Sequence, residues 1–429
     1  MPGLRIALLS YRSKPHCGGQ GIYLRYLSRE LVRLGHRVEV FSGQPYPILD
    51  PGVTLTPVPS LDLYREPDPF RVPHPREFRD LIDVLEVATM WTAGFPEPLT
   101  FSLRAARELV RRAGDFDVVH DNQCLGYGLL RIRRRGLPVV ATIHHPITVD
   151  RRHELAVATR LKRITTRRWY GFVRMQRRVA RRIDHVITVS ENSRRDLARD
   201  FGIDEQRMRI VPVGVDTDVF TPAAAGERVP GRVVAMASAD VPLKGTASLL
   251  EALAKLRTER DVRLTLVGHP RRGGRTERLV AELGLTDAVD FVSGLSDTEL
   301  ACLLASAEVA VVPSLYEGFS LPAIEMLACG TALVATAAGA LPEVVGDCAR
   351  LVPPADPEAL AAAIGDLLDD PAARARLGTA GRDRVHELYS WRSIALATAE
   401  CYAAAIASAA ARHEGRGARN AEAALDGAC

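Results

Sequence analysis

A chain of 429 residues is longer than the roughly 250–300 at which one hydrophobic core stops growing, so two domains are expected, and a peptide hormone, a small adaptor or a disulfide-stapled module is excluded. Apolar residues at 47% and charged residues at 25% exclude a largely disordered chain. The formal charge of +4 is what remains of 56 basic against 52 acidic side chains, so bulk charge selects no partner.

In chain order, short branched apolar runs recur at Leu4 to Leu9, Val38 to Phe41, Val118 to His120, Val139 to Ile143 and Val186 to Val189, with helical periodicity between several of them. A second series follows at Val233 to Ala237, Leu264 to Val267, Val289 to Val292, Val309 to Pro313 and Leu333 to Ala335. Strands alternating with helices predict an α/β protein with parallel sheets, and the same design is used twice. Between the series, Pro212, Gly214, Pro222, Gly226, Pro230 and Gly231 interrupt all periodicity, which marks the domain junction and predicts no core strand there. The expected units are residues 1–215, residues 216–390 and a C-terminal helix over 391–429 that packs back toward the first domain. The last 17 residues, after Arg412, are expected to fray. Gly43 to about Pro75 and Trp91 to Pro98 read as loops rimming the first domain.

Seven cysteines, odd in number, widely spaced and without a CxxC pair, fit free thiols in a reducing, cytoplasmic setting. The run Leu4 to Leu9 lacks the basic region and cleavage site of a signal peptide. No stretch approaches about 18 uninterrupted apolar residues, so any membrane contact is expected to be peripheral.

Three segments carry chemistry. Cys17-Gly18-Gly19-Gln20-Gly21 opens a helix, and its glycines permit close backbone approach of a diphosphate to the first helical amides. The spacing matches neither a Walker loop nor a clean GxGxxG, and a plain tight turn is the alternative. Glu317-Gly318-Phe319-Ser320-Leu321-Pro322-Ala323-Ile324-Glu325 follows a strand, and Pro322 in the first helical turn leaves the Ser320 and Leu321 amides facing an anion. Its two carboxylates suit polyol hydroxyls, against the alternative of a capped helix with two exposed glutamates. Lys244, in a turn before a helix, is placed to meet a phosphate.

Together these motifs resemble the retaining glycosyltransferase family 4, over most of the chain. The resemblance rests on Glu-x7-Glu within GFSLPAIEMLACGTALVAT, the amino-terminal glycine loop and Leu34-Gly35-His36-Arg37-Val38. It implies a GT-B fold of two facing Rossmann-like domains and a nucleotide-diphosphate sugar as co-substrate, UDP-sugar favoured and GDP-sugar the alternative. It further implies that Glu325 contacts the ribose and Glu317 the donor sugar. Lys244, the Ser320 and Leu321 amides and the Gly18/Gly19 loop would bind the diphosphate. His144 matches the first-domain catalytic histidine, with His145 beside it. The family arginine five residues before the lysine is replaced by Ala239, which leaves Arg271, Arg272 or Arg275 as candidates to compensate.

The implied reaction is hexosyl transfer with retention, catalysed by Glu317, His144 and Lys244, onto a small hydroxylated or lipid-linked acceptor. No metal is expected: Asp216 to Asp218 has Asp-x-Asp spacing but falls in the linker. Residues 160–182 hold ten Lys/Arg and no Asp or Glu, interleaved with apolar side chains. They fit an interfacial helix on an anionic membrane, the wall of a site for a phosphorylated acceptor, or an ordinary basic face. No RNA-binding module accompanies them, so nucleic acid is not expected as a partner. A non-catalytic nucleotide-sugar or carbohydrate binding protein is the alternative from another functional class.

Overall fold

The computed structural model describes residues 3–13, 19–65, 67–224, 228–236 and 240–426, excepting the side chains of residues 153, 157 and 413–426. Gly18 and Ala239 lie outside these residues. The chain divides into two compact units: Met1–Val189 with Ser193–Val211 and Ala395–Cys429, and Ser190–Asn192 with Pro212–Ile394.

The first unit carries seven strands: β1 (Arg5–Ser10), β2 (Arg37–Ser42), β3 (Thr54–Pro57), β4 (Val118–Asn122), β5 (Val139–Ile143), β6 (His185–Thr188) and β7 (Met208–Ile210). They form one sheet in the order β3-β2-β1-β4-β5-β6-β7, and every pair is parallel. Ile6 to Leu9 and all of β4 and β5 are buried, as the central strands of a parallel sheet covered on both faces are, although β4 ends in the polar residues His120, Asp121 and Asn122.

The second unit has six strands: β8 (Val229–Met236), β9 (Arg263–Val267), β10 (Val289–Val292), β11 (Ala307–Val312), β12 (Ala332–Thr336) and β13 (Ala349–Val352). Their order is β10-β9-β8-β11-β12-β13, again wholly parallel. Its core is aliphatic, built on Val233, Leu250, Leu264, Val309 and Val334.

Two expectations need correction. β8 starts at Val229, so Pro230 and Gly231 lie within a strand; they are tolerated because these first residues are exposed and the pairing with β11 shifts register there. The basic span 160–182 is two helices, Arg160–Trp169 and Val173–Ala180, separated by a turn of 3-10 helix. Val173, Met175 and Val179 of the second are core residues, so only the first presents its apolar side chains to solvent. The C-terminal helix spans Trp391–Asp426.

The stretch Trp391–Arg412 has the length and mean hydropathy, 1.5, of a membrane span. Its apolarity is used internally, since Ala395, Ala399, Tyr402, Ala405 and Ala409 are buried. The helix Leu81–Trp91 buries Ile82, Val87 and Met90 but mixes charge into the same inner face. Its Asp83 and Glu86 are buried against Arg104, while Leu81, Val84, Leu85 and Trp91 face outward. Among the described residues, every large apolar side chain at least half exposed belongs to 70–91 or to the helix Arg160–Trp169: Phe70, Val72, Leu81, Val84, Trp91, Leu161 and Ile164. The two segments are in contact, with Trp169 packed on Tyr64, Phe70 and Phe95, and Arg168 donating to Thr92 Oγ1 at 2.9 Å.

Candidate active site

In the second unit β8 and β11 are neighbours, so the loops after them meet at the carboxyl ends of the strands. The loop after β8 carries Lys244, and the loop after β11 carries Glu317. Glu317 Oε1 accepts from Lys244 Nζ at 2.8 Å and from Ser314 Oγ at 2.7 Å. Two glycines make the meeting possible. Gly245 has φ +65°, and a Cβ on it would lie 1.8 Å from the Pro313 carbonyl oxygen. Gly339 has φ +58°, and its Cβ would lie 2.3 Å from the Glu317 carbonyl oxygen, which accepts from the Ala340 amide at 2.9 Å.

Ser320 closes the β11 loop at φ +108°, and its Oγ accepts from the Ala323 amide at 3.4 Å, starting the helix Leu321–Ala328 with Pro322 in its first turn. The Leu321 amide is the first of that helix and has no intrahelical acceptor. Glu325, one turn on, is buried, and its Oε2 has no hydrogen-bond partner. Burial, with a smaller contribution from Asp297, pushes its carboxyl up to about 7. The structure thus joins Lys244 to Glu317, and strings Ser320, Leu321 and Glu325 along the same loop and helix.

In the first unit Gly19 begins the helix Gly19–Arg33. Asn122, at the end of β4, joins that helix start to His144: its Nδ2 donates to the Gln20 carbonyl at 3.2 Å, and its Oδ1 faces His144 Nε2 at 2.8 Å. With the amide oriented by Gln20, His144 carries its proton on Nε2 and presents Nδ1 as an acceptor. Burial, then the neighbouring His145, pushes the His144 ring down to about 3, so it is neutral at physiological pH. The His144 amide donates to Gln123 Oε1 at 2.7 Å, while His145 turns to Asp150 at 3.1 Å. Asn122 and Gln123 were not among the expected site residues. Their signal was the polar run His120-Asp121-Asn122-Gln123 extending a central strand, every member of which is buried.

Arg271, Arg272 and Arg275 are exposed, and their loop is pinned where Asp240 accepts from the Arg271 amide at 2.6 Å and the Thr276 amide at 3.1 Å. Arg275 lines a cavity of ≈ 180 Å³ with Asp240, Gly245 and Thr246, the residues flanking Lys244. Among the described residues no group of three His, Cys, Asp or Glu side chains is placed to hold a metal ion.

Two Rossmann-like units with parallel sheets, and a cation paired with a carboxylate at the strand ends of one of them, define the GT-B class. The description Glycosyltransferase Family 4 matches residues 17–219, and Glycosyl transferases group 1 matches 221–384. The MMP alpha-(1->4)-mannosyltransferase of Mycolicibacterium hassiacum is 61% identical over 412 residues, 95% of this chain and 100% of that protein. D-inositol 3-phosphate glycosyltransferase 2 of Catenulispora acidiphila is 31% identical over 434 residues, 94% and 95% of the two chains. The solved sucrose-phosphate synthase of Thermosynechococcus elongatus superposes with a TM-score of 0.73 at 28% identity, over 94% of this chain and 100% of that one. The chain belongs to the GT-B glycosyltransferases, with a family 4 amino-terminal region and a group 1 carboxyl-terminal region. It is a nucleotide-sugar-dependent enzyme, and the non-catalytic alternative falls.

Proposed function

We propose that this enzyme transfers a mannosyl unit from a nucleotide-diphosphate sugar to a saccharide hydroxyl, with retention, forming an α-(1→4) bond. The observation that carries the reading is the Lys244–Glu317 pair, together with the buried Glu325 Oε2, which has no hydrogen-bond partner, on the helix that follows the Glu317 loop. The sugar and linkage are suggested by the name of the 61% identical mannosyltransferase. Mannosyl units are commonly activated on GDP, so this reading favours the GDP-sugar alternative over the UDP-sugar first expected.

Each side chain then has a task. In the free enzyme Lys244 and Glu317 neutralise one another. A bound donor would exchange that contact for two better ones, its diphosphate taking the ammonium and its sugar hydroxyls taking the carboxylate. Ribose hydroxyls would satisfy Glu325. As the glycosidic bond breaks, negative charge grows on the diphosphate, where Lys244 and the Ser320 and Leu321 amides would stabilise it without a metal. His144, neutral and a weak base, would orient a hydroxyl through Nδ1 rather than remove a proton. The acceptor proton would pass to the leaving phosphate on the face from which the acceptor attacks. Arg275 is the candidate for the cation missing at Ala239.

The test is turnover with GDP-mannose, UDP-glucose and UDP-N-acetylglucosamine on oligomannoside acceptors, with the product's linkage and anomeric configuration read by NMR. An α-(1→4)-mannosyl product from GDP-mannose is expected. A β product, or turnover only with a uridine donor, overturns the assignment.

A second reading, peripheral contact with an anionic membrane and a lipid-linked acceptor, is favoured by the exposed apolar side chains on 70–91 and on the basic helix Arg160–Trp169. Arginines ringing exposed Leu and Trp suit lipid phosphates and the interfacial layer together. Flotation with vesicles containing phosphatidylglycerol is expected to be reduced by W91E and by the double change L161E/I164E. Equal recovery on neutral and anionic vesicles removes this reading.

A further inference from the structure

Four side chains from distant parts of the first unit form one sealed chain that ends against His144. On β4, His120 and Asn122 are two residues apart and so share a face of the sheet. On β5 and just beyond it, Thr142 and His144 do the same, and the parallel register pairs Asn122 with Thr142. Tyr23 comes from the glycine-loop helix and Tyr402 from the C-terminal helix. Tyr402 Oη lies 2.6 Å from His120 Nδ1, His120 Nε2 lies 2.7 Å from Thr142 Oγ1, and Thr142 Oγ1 lies 3.1 Å from Tyr23 Oη. The ring of Tyr23 then meets the His144 ring edge to face, with centroids 4.8 Å apart and planes at 84°. Tyr402, His120 and Thr142 are fully buried and Tyr23 is 1% exposed, so bulk water cannot take the place of any of them.

We infer that Tyr402 is a positioning residue for His144, acting through His120, Thr142 and Tyr23. The inference rests on the reading of His144 as a group that orients substrate.

The argument is one of hydrogen-bond accounting. A neutral imidazole has one N–H and one lone pair, so the two hydroxyls bonded to His120 must play opposite roles toward it, and Tyr402 takes part in fixing its tautomer. That tautomer decides whether Thr142 receives or gives a proton at this contact, and with it how the Tyr23 phenol is met. His144 has Asn122 on Nε2 and the Tyr23 ring against its plane, so a displaced Tyr23 moves the ring about its Asn122 bond. Burial holds His120 down to about 3, which keeps the chain uncharged through the physiological range. The C-terminal helix is anchored around Tyr402 by Arg412 to Asp184 at 2.6 Å, by His185 to Ser408 at 3.0 Å and by an Arg209–Glu400 ion pair. Its last long element therefore takes part in seating the histidine, with no contact to His144 itself.

The test compares wild type, Tyr402→Phe, His144→Ala and the double variant in the full chain, measuring kcat, donor KM and nucleoside diphosphate Kd. The His120 and His144 ring nitrogens are followed by two-bond nitrogen–proton NMR. Y402F removes one hydroxyl, and T142V interrupts the same chain from its other side as an independent check. Y402F is expected to lower kcat roughly five-fold, a coupling typical of residues sharing one network, with Kd unchanged, shifted His144 ring resonances and no further loss in the H144A background. Unmoved His144 resonances, or kcat losses that multiply in the double variant, overturn the inference. An H144A enzyme of undiminished kcat overturns instead the reading of His144 as an orienting group, while the resonance shift in Y402F still decides the tether.

Discussion

Lys244 and Glu317 lie 73 residues apart in sequence and 2.8 Å apart in space, and the carboxylate oxygen that receives the lysine also receives Ser314. With side-chain exposures of 30% and 11%, both members of the pair are mostly shielded, so neither charge is fully screened by solvent. Lys244→Ala is expected to lower kcat on the order of 10²–10³-fold, the usual cost of one donor to a developing anion. Thermal unfolding should barely move, because Glu317 keeps the Ser314 hydroxyl. Steady-state kinetics and a melting curve on the same sample check both halves.

Glu325 should make nucleotide binding pH-dependent. Its carboxyl sits at about 7 in the free fold, and hydroxyl donors favour the ionised form. Nucleoside diphosphate affinity is expected to rise as pH increases from 6 to 8, with proton release that calorimetry in buffers of different ionisation enthalpy would detect. Glu325→Gln should flatten the profile. For stability the sign is opposite. Between 4.5 and about 7 the folded state holds a proton that the unfolded chain has lost, so this contribution is present below 4.5 and lost as pH rises through about 7.

His120 acts the other way. Its folded value of about 3 lies below the ordinary 6.5, so between those limits the unfolded chain binds the extra proton. The contribution is intact above 6.5 and is lost as pH falls toward 3. Urea midpoints from pH 7 to pH 4 are expected to fall, and His120→Gln to reduce that slope while lowering stability at pH 7.

Gly245→Ala should be costly for two reasons at once, a φ of +65° and a Cβ 1.8 Å from a backbone oxygen. A loss of at least ~1–3 kcal/mol is expected from the backbone strain alone. Because the same turn carries Lys244, kcat should fall with it. A variant of wild-type stability and turnover would show that the β8 and β11 loops do not need this approach.

The legible part of the protein was the part written locally. Glu317 and Glu325 are eight residues apart across one loop and one helix start, so their chemistry survives in a short motif. Strands buried on both faces announced themselves as unbroken apolar runs. The strands that escaped, β3, β7 and β13, all lie at sheet edges, where half of each strand faces outward and no continuous run is needed. The helix Leu81–Trp91 hides carboxylates on Arg104 among buried Ile82, Val87 and Met90 and leaves other apolar residues outward, so periodicity alone could not tell its inner face from its outer one. The contact between His120 and Tyr402 spans 282 residues, and nothing near either residue signals the other.

The division of the chain also sets an order of assembly. Residues 212–394 are nearly continuous and leave the ribosome together, so that body can complete itself as it emerges. The amino-terminal body cannot, because the helix that supplies Tyr402 is translated after residues 212–394. The half made first is finished second, and its sheet waits for a covering that the message has yet to deliver.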